Sequence, residues 1–127
     1  MFARGDLVLP LTGEEQIVSG GFAKMIAKSQ TVQPSDQREQ FSREDKTFVT
    51  WVNWNPQERL RGETMLRVFD AENRTVAQTL PGKLDVRKGQ YKLTSWTLPV
   101  PFSNGVYRVD VLVDGKPIWR GFVRISQ

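Results

Sequence analysis

Val106-Tyr107-Arg108-Val109-Asp110-Val111-Leu112-Val113, then Asp114-Gly115, then Lys116-Pro117-Ile118-Trp119-Arg120-Gly121-Phe122-Val123-Arg124-Ile125, form two runs joined by a turn signal. Successive side chains of an extended chain point to opposite faces. Tyr107, Val109, Val111 and Val113 therefore share one side, and Arg108 and Asp110 share the other. Asp-Gly between two such runs signals a hairpin. Its register is decided by burial, because a one-residue slip exchanges the two faces. A two-residue loop would set Arg120 opposite Val109, on the buried face. A three-residue loop, with Gly115 in the left-handed conformation, groups Trp119, Val123 and Ile125 with the valines and leaves Arg120 and Arg124 outside. The three-residue loop is expected.

The same reading extends upstream. Thr47 to Trp54 is rich in β-branched and aromatic residues, the composition of a strand. Phe48, Val52 and Trp54 share one face, Val49 and Trp51 the other, and Asn55-Pro56 breaks the run. Glu63 to Asp70 puts Leu66 and Val68 on one face and Arg67 on the other. Thr75 to Leu80 reads as a short strand, Lys83 to Val86 as an edge piece, and Gln90 to Leu98 as a strand with Trp96 and Leu98 on one face. Pro81-Gly82 and Lys88-Gly89 mark turns.

Ile17 to Val32 could be helix or strand. Gly20 and Gly21 each cost a helix about 1 kcal/mol relative to alanine, which favours a strand with Phe22 and Ile26 on one face and Ala23, Met25 and Ala27 on the other. Gln33 to Lys46 is polar, with Phe41 as its one large apolar residue, and is expected to be a long loop. Residues 1–16 read as an extended arm and residues 17–127 as a single domain. Turns recur at short spacing and no strong helix intervenes, so the fold class is all-β: an antiparallel two-sheet sandwich of about seven strands.

Composition narrows the chemistry. The 127 residues contain no cysteine and no histidine, which removes disulfides, thiolate metal sites, and the Ser-His-Asp and Cys-His catalytic arrangements. No cofactor or metal site is read. No apolar run approaches the roughly 18 residues that cross a membrane. No basic segment followed by an apolar stretch marks a signal peptide. The expected location is periplasmic or extracellular if a leader has been removed, and cytoplasmic otherwise. The formal charge is +4, with both signs mixed along the chain. Nucleic acid is a disfavoured partner, since nothing matches a nucleic-acid module.

The second half of the chain resembles immunoglobulin-like and fibronectin-type-III-like domains of bacterial extracytoplasmic proteins. The resemblance is carried by Gly105-Val106-Tyr107-Arg108-Val109-Asp110-Val111, Asp114-Gly115 and Phe122, with Phe41 and Asp45 ahead of the strand that ends at Trp54, and Gly62 opening the next. It covers roughly residues 41–125. It implies an immunoglobulin-like sandwich serving as an adhesive, spacer or accessory module.

Short motifs weigh little here. Arg4-Gly5-Asp6, Leu9-Pro10-Leu11-Thr12-Gly13 and Asn73-Arg74-Thr75 are read as chance matches, the last as a turn. The adjacent pairs Glu14-Glu15 and Glu44-Asp45 do not build an acid–base constellation. The tryptophans Trp51, Trp54, Trp96 and Trp119 are candidate sugar platforms, although Trp54, Trp96 and Trp119 are expected in the core. Trp51 is on the outward face of its strand. With Phe69 beside it and Arg59 and Arg67 at the rim, it is expected to form an exposed apolar contact patch. The expected function is non-catalytic protein–protein contact in the bacterial envelope. Carbohydrate binding by exposed tryptophans is the alternative, and an envelope spacer without a ligand is a third class.

Overall fold

The computed structural model describes residues 10–13, 16–28, 32–101 and 103–126. Ten strands are present among them: β1 (Ile17–Lys28), β2 (Val32–Gln37), β3 (Gln40–Phe41), β4 (Thr47–Trp54), β5 (Leu60–Phe69), β6 (Thr75–Gln78), β7 (Gly82–Val86), β8 (Lys92–Pro99), β9 (Gly105–Val113) and β10 (Lys116–Ile125). One sheet has the order β2-β1-β4-β8. The other runs β3-β10-β9-β5-β6, with β7 beside β5. Every pairing is antiparallel except that of β3 with β10. This is the antiparallel two-sheet sandwich expected, with more strands than seven.

Two of the extra strands lie where a loop was expected. Gln33 to Gln37 belongs to β2, and Gln40–Phe41 is β3. As an edge strand, β2 is held by its main-chain ladder to β1, with Pro34 opposite Ile26; an edge tolerates proline and polar residues because one side of the ladder needs no donor. β3 is two residues long and seats Phe41, which is fully buried.

Alternation fixes the core. Phe48, Val52 and Trp54 of β4 face Leu66 and Val68 of β5, Tyr107, Val109, Val111 and Val113 of β9, and Val123 and Ile125 of β10. The Trp54 indole N–H donates to Thr94 Oγ1 of β8 at 2.9 Å, so the largest buried side chain leaves no unpaired donor.

The β9–β10 hairpin departs from expectation in one respect. Its loop has two residues: Asp114 and Gly115 both take positive φ (50° and 81°), as in the primed turn whose twist matches the strands. Lys116 pairs with Val113 and Pro117 with Leu112. A register shift then follows, after which Trp119 pairs with Val111 and Arg120 with Asp110. The odd residue is thus taken up by a bulge at Ile118 rather than by the loop. Ile118 is buried in the core and Trp119 packs on it. Arg120 and Arg124 remain outside, as the burial argument requires.

Trp119 joins the two sheets. A Cβ on Gly20 of β1 would lie 2.6 Å from Trp119 Nε1, and one on Gly121 would lie 2.6 Å from Trp119 Cη2 and 2.9 Å from the Phe22 ring. Phe22 meets Trp119 edge-on at 5.7 Å. The two glycines therefore form a notch that admits the indole. Gly121→Ala is expected to destabilise the fold by about 1–3 kcal/mol, the usual cost of an overpacked core, measured by urea denaturation.

Candidate functional site

The outward side chains of the six-stranded sheet line up in cross-strand rows. Phe122, Arg108 and Phe69 form one row, and Arg120, Asp110, Arg67 and Gln78 the next. The Arg108 guanidinium carbon lies 4.0 Å from the Phe69 ring centroid, a cation–π stack. Asp110 accepts from Arg120 Nε at 2.7 Å and from its terminal nitrogen at 3.0 Å, a two-point fork. Arg108 Nε is 3.5 Å from the same carboxylate. The Asp110 and Arg108 side chains are only 4% and 12% exposed. Burial pulls the Arg108 guanidinium below its ordinary pKa; Asp110 opposes the shift and Arg120 adds to it. An arginine remains cationic at neutral pH under such a perturbation. Two cations therefore share one buried anion.

Phe122 behaves differently. It is 57% exposed and Val106, beside it, is 38% exposed. Both border a cleft of ≈ 670 Å³ that also involves Arg38, Phe41, Asp45 and Arg124. Ser42 and Asp45, the cap and the last residue of the 3₁₀ turn Arg43–Asp45, also line it. Asp45 accepts from the Ser42 main-chain N–H at 2.8 Å and pairs with Arg38 at 3.0 Å and Lys24 at 3.4 Å. The Ser42 hydrogen bond is the main cause holding the Asp45 carboxyl below its ordinary value, with both cations helping and burial opposing.

No protein-family model matches the sequence, and no curated protein matches it. Solved structures do. The C-terminal domain of Wzt superposes with a TM-score of 0.61 at 11% identity, over 87% of this chain and 72% of that domain. An immunoglobulin-like protein from Pseudomonas aeruginosa gives 0.52 at 10% identity, over 87% and 95%. A β-glucosidase variant from Listeria innocua in complex with laminaribiose gives 0.55 at 13% identity over 71% of this chain, which spans only 15% of that enzyme. The fold is an immunoglobulin-like β-sandwich. At such identities the likeness concerns architecture and assigns no activity.

The immunoglobulin-like sandwich carries a tyrosine corner: Tyr107, near the start of β9, donates its hydroxyl to the Ser103 carbonyl at 2.7 Å. It also separates residues that the sequence reading grouped. Trp51 does point outward, but from the four-stranded sheet, whereas Phe69 points outward from the six-stranded one. The two aromatics thus lie on opposite sides of the molecule and form no common patch. Trp51 is also only 9% exposed, clustered with Ala23, Val49 and Leu93. Its indole lies over Gly21, where a Cβ would be 3.3 Å away. Arg67 is two residues from Phe69 on the same face and donates to Gln78 at 3.1 Å. Arg59 is ten residues from Phe69, about 34 Å along an extended strand, and forks to Asp85 at 3.0 and 2.8 Å.

Two of the four expected site residues, Phe69 and Arg67, therefore share a face. Phe122 was missed as a site residue. Its signal is parity: it alternates with the buried Val123 and Ile125 and falls in step with Arg120 and Arg124. Asn73 takes a positive φ of 63°, which fits the turn reading of Asn73-Arg74-Thr75. Arg4-Gly5-Asp6, Leu9 and Glu14-Glu15 lie outside the described residues. Among those described, no three metal-ligating side chains converge.

Two outcomes are expected. Asp110→Asn removes the buried carboxylate that Arg120 and Arg108 share and is expected to cost about 3–5 kcal/mol of stability by chemical denaturation. The second concerns acid. Because its folded pKa is depressed, Asp45 contributes stability that is present above the ordinary value of 3.8 and is lost as pH falls through the lower folded value. Below pH 3.8 the melting temperature of the unmodified protein should fall more steeply than that of Asp45→Asn.

Proposed function

We propose that this chain is a non-catalytic binding module that docks a protein partner on the outer face of its six-stranded sheet, with the bacterial envelope as the setting its resemblance implies. The observation that carries the reading is Phe122: a phenylalanine 57% exposed on a sheet face, beside a desolvated arginine stacked on a second aromatic ring. Aromatic and arginine side chains dominate the energetics of protein interfaces. Arg67, Arg108, Arg120 and Arg124 share this face, and Asp110 is already engaged, so the complementary partner presents carboxylates around an apolar centre.

The non-catalytic part rests on the acidic residues. Asp45, Asp70, Asp85, Asp110 and Asp114 are each held by a main-chain N–H or an arginine, which leaves them poor candidates for a free general base. The carbohydrate alternative required exposed tryptophans. Trp54 is fully buried, Trp51 nearly so, and Trp96 and Trp119 pack on the core; among the described residues, the exposed aromatic side chains are Phe122 and Tyr91.

A displayed peptide library panned against the protein tests the proposal. Selected peptides should combine Asp or Glu with a large apolar residue. Phe122→Ala and Arg124→Ala should each weaken their binding about tenfold, or ~1.4 kcal/mol, without changing the melting temperature. Peptides indifferent to both substitutions would contradict the reading, as would a glycan-array signal abolished by Phe122→Ala.

A further inference from the structure

A sandwich has sheet edges, and each exposes a row of unpaired main-chain groups that another strand can extend unless something blocks it. Three of the edges among the described residues are blocked. β2 carries Pro34. The edge made by β6 and β7 is broken: both pair with β5, on successive stretches, and Thr79-Leu80-Pro81 interrupts them. The edge of β10 is flanked by β3 at one end, receives a hydrogen bond from the Thr12 N–H to the Pro117 carbonyl at the other, and is bulged between them.

β8 is neither bulged nor flanked, and its one proline, Pro99, stands at its last position. Its eight residues pair with β4 without a register shift, from Lys92–Trp54 to Pro99–Thr47, and no described strand lies on its other side. Lys-Leu-Thr-Ser-Trp-Thr-Leu-Pro has its single charge at one end and its proline at the other. Ser95 and Thr97 are exposed on the solvent face, and Trp96 is half-buried on the core side.

We infer that the β8 edge pairs antiparallel with the β8 edge of a second copy of this chain, giving a two-fold dimer with a continuous eight-stranded sheet. Self-complementarity selects the copy as the occupant. A two-fold axis normal to the sheet keeps each residue opposite one of the same parity. Centred on Ser95, it sets Ser95 against its equivalent, Leu93 against Thr97, and Thr94 against Trp96. Centred on Trp96, it sets Ser95 against Thr97 and Thr94 against Leu98. On the solvent face Ser95 meets a second hydroxyl in either register (Ser95 or Thr97), the Thr94–Trp96 pair of the first register sets a β-branched against an aromatic side chain, and no charges oppose. The two Lys92 side chains end far apart. That matters for a chain of net charge +4, whose copies repel elsewhere. A contact limited to one strand edge belongs with small, transient interfaces below about 1,200 Å², so the dimer is concentration-dependent. The inference is independent of the docking face on the other sheet.

Sedimentation velocity on the full chain across a concentration series tests it. The unmodified protein should shift from monomer towards dimer. Ser95→Lys with Thr97→Lys should weaken dimerisation at least about tenfold, because both registers bring the new charges together. Ser95→Glu with Thr97→Glu should do the same. Mixing the two doubly substituted proteins should restore a dimer, a rescue that loss of folding would not produce; circular dichroism confirms that each is folded. An unmodified chain that stays monomeric up to about 1 mM, corresponding to ~4 kcal/mol of association free energy, overturns the inference. So does a dimer that survives the lysine substitutions, or a mixture that fails to re-form it.

Discussion

Between Pro117 and Trp119 the chain of β10 gains one residue relative to β9, and the side-chain parity of the last strand is set there. Without that residue Arg120 would face Val109 in the core, and a buried, unpaired guanidinium is far costlier than a local bulge. With it, Ile118 and Trp119 both pack inward. Trp119 then reaches the notch between Gly20 and Gly121 that ties the last strand to β1. The same parity sends Arg120, Phe122 and Arg124 outward. Core closure and the composition of the candidate face therefore have one cause.

The outward face is not an ordinary solvated sheet surface. Asp110 and Arg108 are nearly as inaccessible as core residues, because long side chains from three neighbouring strands cover one another. A charge network of this kind is strained when any member is lost, yet it holds its arginines in fixed positions. In the proposed docking, fixed arginines would lose little conformational freedom, and Phe122 would add apolar area beside them. The short turn at Asp45, fastened to both β1 and the chain before β3, gives the cleft next to Phe122 a defined wall.

Much of the fold was legible because period-two alternation is strong where one face is buried. β4, β5, β9 and β10 each placed their apolar residues where the sequence puts them. β2 was not legible. It is stabilised by main-chain pairing with β1, which leaves no apolar pattern to read. The hairpin loop was misjudged because parity fixes how many residues are odd, without locating the odd one, and Asp114 could adopt the positive φ that a two-residue turn needs. The candidate site was half legible for a related reason. Alternation tells which residues of one strand share a face, but not which sheet the strand joins. Trp51 and Phe69 were both correctly outward, and they still lie on opposite sheets. Nor does alternation report that Trp51 folds down over Gly21, or that Phe122 is left more than half exposed.

Cross-strand proton contacts in β9 and β10, read by nuclear Overhauser spectroscopy, examine the parity claim at its root. Contacts joining Arg120 to Asp110 and Phe122 to Arg108, with Arg108 side-chain protons shifted upfield by the Phe69 ring, are the expected result. Contacts joining Arg120 to Val109 would place the arginine in the core, and the bulge, the outward face and everything built on them would be wrong.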